Sequence, residues 1–108
     1  MKRLLAVLAV VFAVTVIGGC GGGNVPVKII NDLGAWNIEE VKIDLSDQPW
    51  GENRISETIE AGDDVTINVP VGTYDIMIVD EDGDTYTRWG QEIGTDGYEW
   101  AVTLSDID

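Results

Sequence analysis

The chain has 108 residues, a formal net charge of −14 and no histidine. The length predicts a single domain. Six basic residues against 20 acidic ones argue against nucleic-acid binding and against electrostatic docking on anionic lipid, because both need a positive surface. Without histidine, and with one cysteine, most nucleophiles lack a base, so we expect no enzyme activity.

The first 19 residues have the pattern of an export signal. Met1-Lys2-Arg3 is basic, and Leu4 to Ile17 is a run of 14 residues that are apolar apart from Thr15. A bilayer-spanning helix needs roughly 18–20 apolar residues, so the run favours a cleaved signal peptide over residues 1–19. The alternative is an uncleaved N-terminal anchor helix.

The end of this segment resembles the lipobox of bacterial lipoproteins. Ile17-Gly18-Gly19-Cys20 has the family's order of one aliphatic residue, two small residues and a cysteine. The resemblance implies that signal peptidase II recognises Ile17, Gly18 and Gly19 and cuts before Cys20. It also implies a covalent diacylglyceryl thioether on Cys20 and an acyl chain on its new amino group. Such a cysteine carries no free thiol, and its acyl chains are enough for stable membrane attachment.

Residues 20–24 then form the lipidated cysteine and a Gly-rich tether. Gly21-Gly22-Gly23-Asn24 predicts a flexible spacer with a mean reach of only about 11 Å. Loss of Lys2 and Arg3 leaves four basic and 20 acidic residues, so the mature charge is 4 − 20 = −16. Gly21, where enteric lipoproteins retained at the inner membrane carry aspartate, favours the outer membrane. In a single-membrane organism we expect the outer face of the plasma membrane.

Residues 25–108 alternate apolar and polar side chains with period two, which is typical of strands. The strand at 25–30 contains Pro26, which favours a first or edge strand. In the strand at 73–79, Tyr74, Ile76 and Ile78 share one face. We find no persuasive amphipathic helix after Cys20. The pattern predicts strands at 25–30, 38–45, 64–69, 73–79, 85–93 and 98–104.

Turn residues separate these strands. Asp82-Gly83 is a strong hairpin signal and predicts a two-residue type I′ turn. Together with Gly62-Asp63, Pro70-Val71-Gly72 and Thr95-Asp96-Gly97, it predicts an all-β fold. We expect a small antiparallel β-sandwich, Ig-like or a partly open barrel, of about six to seven strands.

A second resemblance covers most of the mature chain. Asn31-Asp32-Leu33-Gly34, the Trp50-Gly51 turn and "VPVGTYDIMIVDEDGDTYT" (69–87) are similar to a small β-sandwich repeat of exported bacterial proteins. Asp32 and Leu33 depart from the usual residues of its first motif. The resemblance implies the fold and no reaction.

The acidic turn "DEDGD" (80–84) invites a calcium hypothesis. Ca²⁺ prefers six to eight oxygen ligands, and Asp80, Asp82 and Asp84 are the candidates. The spacing does not fit an EF-hand, since glycine falls at position four instead of six. The alternative is a solvated acidic hairpin.

Four tryptophans are the other candidates for ligand binding. Trp50 and Trp89 are predicted to stack on a ligand such as a sugar ring, whereas Trp100 is in phase with Tyr98 and Val102 and is assigned to the core. Trp50 follows Pro49 in a loop, where it could instead plug the end of the sandwich, and Trp89 precedes Gly90 at a plausible bulge.

The sequence therefore favours a membrane-anchored lipoprotein of the cell envelope. We expect a non-catalytic binding or structural module that is attached through its lipid and works with an envelope protein partner. We expect no nucleic-acid partner. A calcium-binding or carbohydrate-binding surface module is the alternative, with no cofactor otherwise.

Overall fold

The computed structural model describes residues 23–108, which form six strands and one 3-10 turn at Leu104–Asp106. The predicted all-β fold is confirmed, and five of the six strands match their predicted bounds to within one residue. The last strand ends at Val102 rather than residue 104. The strands are β1 Asn24–Asn31, β2 Ile38–Leu45, β3 Asp64–Pro70, β4 Gly72–Asp80, β5 Thr85–Ile93 and β6 Tyr98–Val102.

The strands form two three-stranded sheets, ordered β3-β1-β6 and β2-β4-β5. Four strands pair only in antiparallel fashion, but β1 and β6 pair in parallel from Val27↔Tyr98 to Asn31↔Val102. The predicted antiparallel β-sandwich therefore has one exception, this parallel pair. Its cause is connectivity: the chain crosses from one sheet to the other after β5, so β6 enters beside β1 in the same direction.

Residues 25–30 were predicted to form a first or edge strand, and β1 is the first strand of the described chain but the central strand of its sheet, not an edge. A proline fits in this central strand because Pro26 lies near the start of β1, before the pairing with β6 begins. It pairs with Asn68 of β3, but pairing with β6 begins one residue later, at Val27. On the β6 side Pro26 therefore lies beyond the ladder, where its missing N–H breaks no hydrogen bond.

The core lies between the two sheets and is built from alternate residues of each strand, as period two requires. Trp100 is 1% exposed, which confirms its assignment to the core. The Arg88 guanidinium lies 4.4 Å from the centre of the Trp100 ring, a cation–π contact. The fully buried side chains include Val27, Ile29, Ile38, Val41, Ile43, Ile76, Ile78, Tyr86 and Val102.

Two residues of the motifs that resemble the exported β-sandwich repeat, Asn31 and Tyr74, form hydrogen bonds that connect loops to strands. Asn31 is completely buried, and its Nδ2 donates to the carbonyl oxygens of Trp36 (2.9 Å) and Ile59 (2.8 Å). The Tyr74 hydroxyl donates to the Pro70 carbonyl at 2.7 Å and closes the corner at which β3 continues into β4. Buried polar groups satisfied in this way fix the courses of the loops that they join.

The strand directions give the sandwich two distinct ends. The near end carries the start of β1 at Asn24, the Pro70–Gly72 corner and the Gly94–Gly97 turn. The far end carries the end of β1, the start of β2 and the β4–β5 hairpin at residues 80–84.

Candidate functional site

The two tryptophans predicted to stack on a ligand lie against each other on the outer face of the β2-β4-β5 sheet. The ring centroids of Trp50 and Trp89 are 5.6 Å apart, and the ring planes are inclined at 49°. Trp89 is 63% exposed, and Trp50 is half-buried. The two indoles form one apolar surface with a bend in it.

A β-bulge sets the position of Trp89. The β4–β5 register runs from Tyr74↔Gln91 to Ile76↔Arg88, so Trp89 and Gly90 together face Asp75 alone. Gly90 has a φ of 61°, which favours glycine, and its N–H donates to Asp75 Oδ1 at 2.8 Å. A bulge re-aims the side chain beside it, and here that side chain is Trp89.

A close approach of backbone to side chain sets the position of Trp50. The N–H of Gly51 donates to Asp44 Oδ2 at 2.9 Å. A Cβ on Gly51 would lie 2.8 Å from Asp44 Oδ1, so only glycine fits without moving that carboxylate. The loop then follows the edge of β2, where the Arg54 N–H donates to the Val41 carbonyl at 2.6 Å.

The same arrangement therefore occurs twice. Each tryptophan precedes a glycine, and each glycine donates its N–H to an aspartate. Asp44 and Asp75 are direct partners on neighbouring antiparallel strands. Neither aspartate was predicted as a site residue, although the sequence contains two Trp-Gly pairs and an outward-facing Asp on each of two strands.

The carboxylates give this surface hydrogen-bond acceptors. Asp75 is only 8% exposed, and its Oδ1 accepts from Ser46 Oγ (2.8 Å) as well as from Gly90. None of the hydrogen bonds among residues 23–108 ends on Asp75 Oδ2. Arg54 Nη2 lies 4.0 Å from Asp44 Oδ1. The site thus combines an exposed indole surface with carboxylate oxygens that can accept further hydrogen bonds.

The aspartates proposed for calcium lie at the far end, where Asp80 has a structural role. Asp80 is 3% exposed, and its Oδ1 accepts the backbone N–H groups of Asp82 (2.9 Å) and Asp84 (3.0 Å). Its Oδ2 accepts the Tyr86 hydroxyl at 2.8 Å. Burial, this hydrogen bond and the negative charge of Asp80 raise the pKa of Tyr86 far above its usual range.

The predicted type I′ turn is wrong. Gly83 has a φ of 86°, but no residue other than glycine has a positive φ in the described chain, so Asp82 does not adopt the conformation that type I′ requires. Asp80 instead accepts from Gly83, and its side chain caps the turn, giving a three-residue loop. The buried Asp80 carboxylate favours this longer turn by satisfying its N–H groups.

The neighbouring acidic side chains also have protein partners. Asp82 Oδ2 accepts from Trp36 Nε1 at 2.5 Å, and Glu81 Oε1 accepts the Asn37 N–H at 2.7 Å. Within residues 23–108 no group of three or more His, Cys, Asp or Glu side chains is arranged to hold a metal ion. Calcium binding by Asp80, Asp82 and Asp84 stays a prediction.

Cys20, Ile17, Gly18 and Gly19 lie outside the described residues. Lipidation and cleavage stay predictions. In the part of the chain from Gly23 onward, no helix is long and apolar enough to cross a membrane.

Comparison with known proteins bears on the fold. The chain is similar to the NMR structure of a protein from Eubacterium rectale. The TM-score is 0.54, the sequence identity is 16%, and the alignment covers 83% of this chain and 89% of that one. At this identity the likeness shows the fold alone. No family model matches the sequence, and no curated protein matches it either.

Proposed function

We propose that this protein is a lipid-anchored component of the bacterial cell envelope, in which the β-sandwich is a non-catalytic binding or structural module. One observation carries the proposal: a basic start, a 14-residue near-continuous apolar run and Ile17-Gly18-Gly19-Cys20 follow one another in that order. The anchor is the lipid on Cys20, and the expected site is the outer membrane or, in a single-membrane organism, the outer face of the plasma membrane.

The distance between Cys20 and the first strand supports a close attachment. β1 begins at Asn24, so three glycines separate the cysteine from the sandwich. An anchor at Cys20 holds the near end of the sandwich against the headgroups. The eight residues of β1 span about 25 Å, so the acidic 80–84 hairpin at the far end points away from the membrane.

The charge distribution suits this orientation. A mature chain of net charge −16 is repelled by anionic headgroups, and the repulsion falls with distance over about 10 Å of salt solution. Placing the densest acidic turn at the far end lowers that repulsion. The acyl chains, at about 0.8 kcal/mol per buried CH₂, supply the attachment, and an envelope protein is the expected partner.

The test compares the full chain with a Cys20→Ser variant in a bacterial host. The wild-type protein is expected in the detergent phase of a cloud-point extraction, with a mass that lacks residues 1–19 and gains diacylglycerol and an acyl chain. The variant is expected without the lipid mass, because serine cannot form the thioether.

A Gly22→Ala variant is the matched control, since it changes the same segment and leaves Ile17 to Cys20 intact. It is expected to behave as the wild type does. An intact Met1 on wild-type protein, or a Cys20 thiol that reacts with maleimide, would contradict the proposal.

A further inference from the structure

The Trp50–Trp89 surface has no role in the core, yet its geometry is closely fixed. Each ring precedes a glycine whose N–H is bound to Asp44 or Asp75, and Trp89 remains 63% exposed. Exposing two adjacent indole rings to water is unfavourable, and a contiguous exposed apolar surface of this kind often marks a binding site. The fixed geometry also lowers the entropy lost when a ligand binds.

We propose that this surface binds a neutral polysaccharide. The indole rings stack on the C–H faces of sugar rings, and the carboxylates of Asp44 and Asp75 accept hydrogen bonds from sugar hydroxyl groups. The site is separate from the lipid anchor, and the inference does not rest on lipidation of Cys20.

The shape of the tryptophan pair suits a chain of sugar rings. The two rings present faces inclined at 49° with centroids 5.6 Å apart, so the surface is bent rather than flat. Sugar rings joined by a glycosidic bond present successive faces that are inclined to one another. No enclosing cavity is needed, because a polymer gains affinity by lying across an open surface.

Asp75 offers a hydrogen-bond acceptor beside the tryptophan pair. This carboxylate is more than nine-tenths buried, and Oδ2 receives no hydrogen bond from residues 23–108. A buried acceptor left without a donor destabilises the protein. A hydroxyl group is a donor of the right size, and the half-exposed Arg54 guanidinium beside Asp44 can donate to sugar oxygens in turn.

The negative charges of Asp44 and Asp75 restrict which ligands could bind to this aromatic surface. Asp44 and Asp75 repel uronic acids and phosphate-bearing polymers, so a neutral sugar is favoured. A second copy of this chain is disfavoured for the same reason. Residues 23–108 carry four basic and 20 acidic side chains, and two such surfaces would meet across two pairs of carboxylates.

The test is affinity electrophoresis of the full chain, purified in non-ionic detergent. Native gels contain a mixed-linkage β-glucan, a mannan, a xylan or, as the charged comparison, polygalacturonate. We expect binding to at least one neutral polymer and none to polygalacturonate. Trp89→Ala is expected to weaken that binding about tenfold or more, and Trp89→Phe to weaken it less.

Two further variants separate binding from folding. Val71→Ala changes an exposed apolar residue at the near end and is the matched control, expected to bind as the wild type does. Asp75→Asn keeps an oxygen for the Gly90 N–H but loses the second acceptor, and is expected to bind more weakly. Failure of all these neutral polymers to bind, or equal binding by wild type and Trp89→Ala, overturns the proposal. So does a dimer that Trp89→Ala dissociates in the absence of polymer binding.

Discussion

Asp80 is the buried charge around which the far end of the sandwich is organised. Neither salt bridge found in residues 23–108 involves it, so its negative charge is stabilised by hydrogen bonds alone. Two come from the backbone of its own turn and one from the Tyr86 hydroxyl. These three donors satisfy both oxygens of a carboxylate that is almost completely buried. A residue that resembled a metal ligand in the sequence is thus a turn cap in the structure.

The Asp80–Tyr86 pair leads to a prediction for alkaline solution. The pKa of Tyr86 is raised in the folded state, so its stabilising contribution is fully present below the unfolded pKa of 10.0 and is lost as the pH rises beyond it. Tyr86→Phe is expected to lower the free energy of unfolding by about 1–3 kcal/mol at pH 7, because Asp80 Oδ2 loses its donor. Urea unfolding between pH 7 and about pH 11 measures both effects.

The stability difference between the wild type and Tyr86→Phe is the decisive quantity. It is expected to shrink above about pH 10, because only the wild-type chain gains ionisation at residue 86 on unfolding. A difference that stays constant over this range would contradict the prediction. So would phenolate absorbance from Tyr86 near pH 10 in the folded wild-type protein, identified as the wild-type-minus-variant spectrum.

At the scale of elements, the short Gly94–Gly97 turn joins the two sheets. Gly97 has a φ of 80°, and a Cβ there would lie 2.5 Å from the Pro26 carbonyl oxygen, which is backbone and cannot move aside cheaply. Gly94, three residues earlier, has open space around it and no positive φ. Gly97→Ala is therefore expected to destabilise the protein by more than about 2 kcal/mol, through combined strain and overlap.

Gly94→Ala is the matched control for this turn. It is expected to change the free energy of unfolding by no more than about 0.5 kcal/mol. Thermal and urea unfolding of both variants provide the comparison. Equal stabilities of the two variants would contradict the predicted overlap between a Cβ at residue 97 and the Pro26 carbonyl oxygen.

The strands were predictable because period two is a local property of the sequence. Alternation in "DVTINV" and "TYDIMIV" is enough to locate strands and to say which residues face inward. Strand partners are not local. The central place of β1 and its parallel pairing with β6 depend on where the chain crosses between sheets, and no residue near Pro26 encodes that.

The candidate site was predictable in its parts but not as a whole. Trp50 and Trp89 are 39 positions apart, and their meeting depends on the course of the loop after β2. That course is fixed by hydrogen bonds from the loop to the edge of β2, including Asn53 Oδ1 accepting the Val41 N–H at 2.9 Å. Contacts of this kind follow from tertiary packing, which residue type and spacing alone do not specify.

At the scale of the whole molecule, charge is the dominant feature. Residues 23–108 carry all 20 acidic side chains and only Lys28, Lys42, Arg54 and Arg88 as basic ones. Self-repulsion at this charge opposes the compact state, and dissolved salt screens it. The fold reduces the cost locally by hydrogen bonding carboxylates to N–H and O–H groups, but it has too few basic residues to neutralise the surface.

The protein is therefore expected to become more stable as salt is added. Raising NaCl from about 0.02 M to about 0.5 M is expected to raise Tm by about 5 °C, since screening acts on every acidic pair. Differential scanning calorimetry measures the shift.

The same measurement compares calcium with magnesium. Because Asp80 already has three hydrogen-bond donors, CaCl₂ and MgCl₂ at equal ionic strength are expected to raise Tm by the same amount. A larger stabilisation by CaCl₂ that disappears in an Asp82→Asn, Asp84→Asn double variant would instead establish calcium binding at the hairpin. It would also show that screening alone does not govern stability, because a specific ion would then be holding the far end together.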